Sequence, residues 1–362
     1  MEYNYNYNGK LVIINLVLWL LLVFINKSVY FQRNTHKAKY HILYLLTCLF
    51  CTFAFSEADT YHYHTIYDNM LFFNERVHVE PFYYWLIQTL PHNYYIWRFA
   101  VWGTALVLMI ECCKRYNLDP STVSFVFPII LLQQFAITRG ALGITLFLYS
   151  LSFILKPSNN KLFSYLLAII GCTTAFYLHK SLPLFVFLFL LSFFPLNKQT
   201  LILLIILFPL LRRFVSPVVF DVLGSNIFSE GTVGFATSYL ESEQSKANFN
   251  GIIRLTIDYI PRFLLFYALI KEFVFKNICM TKPMRILFQY SFVLFYIALL
   301  FLGQNTSSFV TNRTLHMMCF PLLIVVSYYL HTTRRTKLIL FTMLMFIVSD
   351  LFSFFYMIYS CW

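Results

Sequence analysis

Twelve apolar runs follow one another along this chain, near residues 9–26, 40–55, 94–113, 120–137, 140–156, 162–178, 181–196, 199–216, 253–275, 284–303, 314–331 and 337–357, each bounded by polar, charged or proline residues. About 20 apolar residues suffice to cross the roughly 30 Å of hydrocarbon in a bilayer. A peptide group without a hydrogen bond is too costly in that medium, so a spanning segment is a helix or a strand of a closed barrel. The runs are continuous and do not alternate in polarity. They predict an all-α polytopic membrane protein of about 12 transmembrane helices, one membrane domain over 1–362. With 59% hydrophobic and 12% charged residues and a mean hydropathy of +0.68, the chain carries more apolar surface than a water-soluble fold hides.

Charge orients these spans. Segments 27–39, 114–119, 156–161, 197–198, 271–285 and 331–337 hold 16 of the 27 Lys and Arg; counting Glu111 beside the second, their acids are Glu111, Asp119 and Glu272. Basic residues accumulate in cytoplasmic loops, so these segments lie inside and both termini outside. The net charge of +12 then reports topology and attraction to anionic membrane lipid, and no nucleic-acid partner is expected. The first run, from Leu11, lacks a small-residue cleavage site and reads as a retained span. Outer segments 56–93 and 217–252 are too long for turns and read as functional loops. Cys48 with Cys51, and Cys112 with Cys113, fall in or beside spans and read as small packing residues. Glu57, Asp59, His62 and His64 have spacing too irregular to identify a metal site, and neither metal nor cofactor is expected.

A set of outer cations stands against the charge rule. Arg139, His179, Lys180, Arg212, Arg213, Arg254, Arg262 and Arg313 fall at or just inside the outer ends of different spans. Snorkelling to the interface explains any one of them. The whole set is harder to explain this way, because arginine is depleted on this face and a charge at membrane depth needs an anion, a carboxylate or water. Arg254, Asp258 and Arg262 are spaced i, i+4, i+8 on one helix face. That spacing suits an internal salt bridge as well as a phosphate clamp held rigid by Asp258. There is no glycine-rich phosphate loop, so a lipid-linked pyrophosphate fits these cations better than a nucleotide does.

Several short motifs resemble one known family. Gln134–Leu151 (QFAITRGALGITLFLYSL) is similar to the pattern of the EpsG/Wzy-type polymerases, in which an Arg precedes a small residue that opens a long apolar helix. His179-Lys180-Ser181 resembles the family's His-x-Ser element, Glu80-Pro81-Phe82-Tyr83 its Glu-Pro-x-Tyr element, and Asn312-Arg313 its late Arg before a Tyr-rich span. Gly140, where the family commonly has Gln, and Lys180, inside the His-x-Ser element, are departures. The resemblance covers about 57–330.

It implies an O-antigen or exopolysaccharide polymerase, a metal-independent glycosyltransferase. The enzyme would sit in the bacterial inner membrane with periplasmic termini and a periplasmic site. Undecaprenyl-pyrophosphate-linked oligosaccharide would be donor and acceptor, and a chain-length regulator a partner. Arg139, Arg254 and Arg313 would bind the pyrophosphate, with Lys180, Arg212, Arg213 and Arg262 as further cations and Asp258 and Tyr84 in support. His179 is the expected base because imidazole ordinarily titrates near neutrality, with Glu80 and Asp59 as alternatives. An O-antigen ligase shares the donor chemistry but concentrates its His and Arg in one large outer domain. A lipid-linked oligosaccharide flippase calls for paired halves and charges along a passage.

Overall fold

The computed structural model describes residues 9–32, 37–53, 58–72, 81–131, 138–178, 182–224, 249–276, 278–301, 308–332 and 337–359. Each of the twelve apolar runs coincides with a helix, and no strand occurs among the described residues. The chain forms two compact units, Met1–Leu182 with Leu323–Trp362, and Pro183–Leu322. The first unit contains α1 (Gly9–Gln32), α2 (Lys37–Phe53), α3 (Ala58–Phe72), α4 (Pro81–Thr89), α5 (Tyr94–Arg115), α6 (Pro120–Ile130), α7 (Thr138–Leu155) and α8 (Lys161–Leu178). The second contains α9 (Leu182–Leu191) from Pro183 on, α10 (Lys198–Gly224), α11 (Phe249–Ile270) and α12 (Lys282–Phe301). Helix α13 (Ser308–Thr332) runs across the boundary, and α14 (Lys337–Tyr359) returns to the first unit.

Among the described residues five helical stretches are long and apolar enough to cross a membrane: α5, α8, α12, Thr314–Thr332 of α13 and Lys337–Phe355 of α14. Shorter apolar helices cover Val12–Lys27, Ile42–Phe53 and Gly140–Leu155. Their outward faces agree with this assignment. Helix α8 leaves Leu162 81% and Ile169 63% exposed, and α10 turns Ile202, Ile205 and Ile206 outward. Apolar surface of that extent is stable against lipid and costly against water. The architecture is that of a helical membrane protein.

The segment 56–93 differs from a plain loop, because it contains α3 and α4. Neither Gly nor Pro interrupts Ala58–Phe72, and Pro81 occupies a first helical position, where its missing N–H costs nothing. Helix α5 starts at the Asn93 cap, whose side chain accepts from the backbone N–H groups of Tyr95 (2.9 Å) and Ile96 (3.3 Å). It finishes with Lys114 and Arg115 in its last turn, and the chain leaves through Asn117 at φ 59°, a left-handed conformation that asparagine tolerates. Helix α10 extends past residue 216 to Gly224, so the 217–252 segment starts helical; residues 225–248 lie outside the described residues. Cys48, Cys51, Cys112 and Cys113 are buried and unbridged.

Candidate functional site

In the first unit the helix ends show which charges share a level. Arg115 Nη2 donates to the Lys156 carbonyl at 2.7 Å, and Lys156 Nζ donates to the Arg115 carbonyl at 2.6 Å. Each cation thus meets the negative end of the other's helix, while the Arg115 guanidinium lies 3.8 Å over the Phe153 ring. Helices α5 and α7 therefore run parallel, with Cys112 Sγ 3.5 Å from the Leu148 carbonyl marking their register. Back from that contact at 1.5 Å per residue, Arg98 of α5 lies about 21 Å away and Arg139 of α7 about 14 Å away, both towards the opposite end. Helix α8 turns back along α7, so close that a Cβ added at Gly171 would meet Ser150 Oγ and come within 3.0 Å of Ser150 Cβ. Its last residue, Leu178, thus ends at the Arg139 end.

The same end carries an aromatic cluster from three helices. Trp97 of α5 contacts Tyr94 (5.8 Å between centroids), Tyr83 of α4 (6.1 Å) and Tyr67 of α3 (6.0 Å), all four buried. Trp97 Nε1 has no hydrogen-bond partner among the described residues. His64 of α3 stacks on Tyr94 at 4.5 Å, and its Nε2 lies 3.8 Å from Asp68 Oδ2, with both side chains 46% exposed. Burial, and then the neighbouring Asp68 carboxylate, push the Tyr67 hydroxyl above the ordinary tyrosine range, so it stays protonated and neutral near pH 7. Tyr84, on α4, is half-buried, and α4 packs on both α3 and α8.

The second unit has a different chemistry at one end of α12. Helix α11 runs antiparallel to α12, because Phe266 stacks on Phe295 (4.5 Å, 15°) while Phe273 meets Phe288 at 5.6 Å. Arg262, 2% exposed and preceded by Pro261, falls by this register near the Leu300–Phe301 end. Helix α10 runs parallel to α12: Tyr296 Oη donates to the Leu204 carbonyl at 2.6 Å, and Leu211 packs on Leu300 and Phe301. Arg212, half-buried, and Arg213, exposed, follow directly. The two flanking helices thus bring Arg212 and Arg262 to the level of one end of α12. At the other end α11 tightens into a π turn, Lys271–Phe275, where the buried Glu272 receives Lys276 Nζ at 2.6 Å.

The remaining expected residues are described only in part. Arg139, Arg254, Asp258, Arg313 and Asp59 have helical positions, at the start of α7, on α11, near the start of α13 and on α3, while their side chains lie outside the described residues. Glu80, His179 and Lys180 lie wholly outside them. Among the described residues no three His, Cys, Asp or Glu side chains gather as a metal set; Glu57 and the side chains of Asp59 and His62 lie outside that description. Two charges were not singled out from sequence: Arg98, 1% exposed, and Asp350, 2% exposed and about 20 Å along α14. A lone ionisable residue inside an apolar run was the available signal.

No curated protein and no solved structure matches the chain. The model of one family, described as the EpsG family, matches residues 37–362, and the chain belongs to that family.

Proposed function

We propose that this EpsG-family chain polymerises a surface polysaccharide from lipid-linked repeat units on the outer face of a bacterial inner membrane. Family membership carries a polysaccharide polymerase-type function with a lipid-linked polysaccharide substrate. In the proposed reaction the growing glycan leaves its undecaprenyl pyrophosphate as the anomeric carbon–oxygen bond breaks. A hydroxyl on the outermost sugar of the incoming lipid-linked unit forms the new glycosidic bond and gives its proton to a base. Undecaprenyl pyrophosphate departs with the bonding pair, and the product remains on the acceptor's lipid.

The observation that carries this reading is the family match over most of the chain, and the cation chemistry supports it. Negative charge grows on the leaving pyrophosphate, and preorganised arginines stabilise such charge without a metal. Arg139, Arg254 and Arg313 are the proposed pyrophosphate-binding cations, with Arg212 and Arg213 as weaker candidates and Lys180 and Arg262 as further cations. His179 is the proposed base, with Glu80 and Asp59 as alternatives, and Asp258 and Tyr84 position their neighbours. Twelve spans with both termini periplasmic, and a chain-length regulator as partner, complete the proposal.

The test is the lipopolysaccharide ladder of a deletion strain complemented with wild type, Arg139→Ala, Arg313→Ala or His179→Ala, with membrane expression checked in each. A single-repeat band on deletion, extended to a ladder by wild type but not by the arginine variants, is the expected result. Wild-type chain lengths in both arginine variants would remove the clamp. Loss of all glycan from the lipid core on deletion would point to a ligase or a flippase.

A further inference from the structure

The aromatic cluster where α3, α4 and α5 meet is not accounted for by the donor's cations. An interfacial belt of Tyr and Trp would turn its rings towards lipid. Here Tyr67, Tyr83, Tyr94 and Trp97 are between 0% and 4% exposed. Their rings form a connected path from Trp85 through Phe82, Tyr83, Trp97 and Tyr94 to His64, and the two outermost members reach the surface.

The polar groups at the His64 end are those that sugar recognition requires. Asp68 offers a carboxylate acceptor and His64 a ring nitrogen, held one helical turn apart and half open to solvent. Tyr95, 45% exposed and 6.4 Å from His64, offers a ring face beside them. Beneath lies the Trp97 N–H, a buried donor without a partner among the described residues, which gains free energy from any hydroxyl that reaches it. A carboxylate repels phosphate. The donor's reacting sugar carries pyrophosphate directly on its anomeric carbon, whereas the acceptor's reacting sugar is the one farthest from its own pyrophosphate.

We infer that the His64–Asp68 corner, backed by Tyr94, Tyr95 and Trp97, seats the outermost, uncharged pyranose of the incoming acceptor. The inference rests on the polymerase reading and adds the acceptor subsite to it. Asp68 accepts from a sugar hydroxyl, His64 bonds a second hydroxyl while the Tyr94 stack holds its plane, and the apolar ring face lies on Tyr95. The proton transfer remains with the base already named.

The test uses the full chain purified in detergent and two probes. One is the single repeat-unit oligosaccharide freed from its lipid pyrophosphate by mild acid. The other is the same oligosaccharide with its non-reducing terminal sugar removed. Titration calorimetry should show the intact unit binding and the trimmed unit failing to bind. His64→Ala and Asp68→Asn should each weaken the intact unit by about tenfold, as loss of a charge-assisted or buried-edge hydrogen bond does. Trp97→Phe, which keeps a ring and deletes the N–H, should weaken it about fivefold. Because His64 and Asp68 are half-exposed, their variants should retain the wild-type melting temperature, so their arms stand even if Trp97→Phe does not fold.

Wild-type affinity in both His64→Ala and Asp68→Asn would overturn the subsite, and so would a trimmed unit that binds as well as the intact one, which would assign the seat to the donor's sugar. The polymerase reading fails on a separate result, a deletion strain that keeps its ladder, whatever the calorimetry shows.

Discussion

At the Tyr94 end of the first unit polarity is set among rings, whereas at the Phe301 end of the second unit it is set on arginines. The first end stacks His64 on Tyr94 with Asp68 beside it and surrounds Trp97 with tyrosines. The second brings Arg212 and the buried Arg262 to the level of the Leu300–Phe301 end, where Leu211 packs on Leu300 and Phe301 and Phe263 meets Phe295. Rings paired with a carboxylate suit an uncharged, hydroxylated ligand; guanidinium groups on apolar walls suit phosphate, where a low dielectric strengthens each contact. The two ends thus differ in chemistry in the way that the proposed acceptor sugar and donor pyrophosphate would require.

The largest expected effect tests the arginine end. Arg262→Lys keeps the positive charge but loses the planar fork that grips phosphate through two bonds. Polymer yield should fall about a hundredfold, the scale on which single preorganised charge contacts act in a transition state. The measurement is ladder intensity normalised to membrane protein, with thermal unfolding in detergent to show that the variant folds. A lysine variant with the wild-type ladder would show that charge alone matters there, and the contrast between the two ends would shrink to one of burial.

Next in size is the packing that fixes the level of Arg139. At Gly171, α8 passes so close to Ser150 of α7 that a Cβ there displaces the Ser150 hydroxyl from its bond to the Leu146 carbonyl and presses on Ser150 Cβ. Gly171→Ala should cost about 1–3 kcal/mol, read as a lower unfolding temperature, and Ser150→Gly in the same chain should restore most of it. Unchanged stability in Gly171→Ala would mean that α7 and α8 separate freely, and the register reasoned through them would lose its support.

A smaller effect belongs to the opposite end of the same unit. Lys156→Ala removes one of the two reciprocal helix caps, leaving Arg115 to donate to the backbone carbonyl at 156. The expected loss is about 1 kcal/mol of stability with chain-length distribution unchanged, since this end faces away from the rings and from Arg98. A shortened ladder in this variant would break the assignment of function to the Tyr94 end.

Helices were legible in the sequence because hydrocarbon leaves the backbone no alternative; each apolar run coincides with one, from α1 at Gly9 to α14 at Lys337. What the runs did not show was α3 and α4 inside an apparent loop. Ala58–Phe72 is too polar for a span and has no strong apolar periodicity, and its helix is anchored through the buried Tyr67, whose ring meets Tyr94 and Trp97 of α5. The arginines were legible as exceptions to a charge rule, but their levels were not. Arg262 lies about 20 Å along its own helix yet near the end of α12, which only the Phe266–Phe295 register shows. Arg98 escaped notice because it sits one turn inside a span, beside aromatic residues that read equally well as belt.

The smallest effect separates two neighbours. Arg212 and Arg213 are adjacent in sequence, so they point about 100° apart around α10. Arg212 is half-buried, following Leu211 where it packs on the end of α12, and Arg213 is exposed. An exposed, well-screened guanidinium contributes little, so Arg213→Ala should leave stability unchanged and shorten the ladder only slightly, as befits the weaker of the two candidates. Arg212→Ala should shorten the ladder severalfold while the protein stays folded, because Arg212 is half-buried at the level Arg262 occupies. Equal losses in the two variants would mean that position around the helix is irrelevant and that α10 supplies only a diffuse positive field. A loss at Arg213 alone would turn the working face of α10 outward and detach it from the Leu300–Phe301 end.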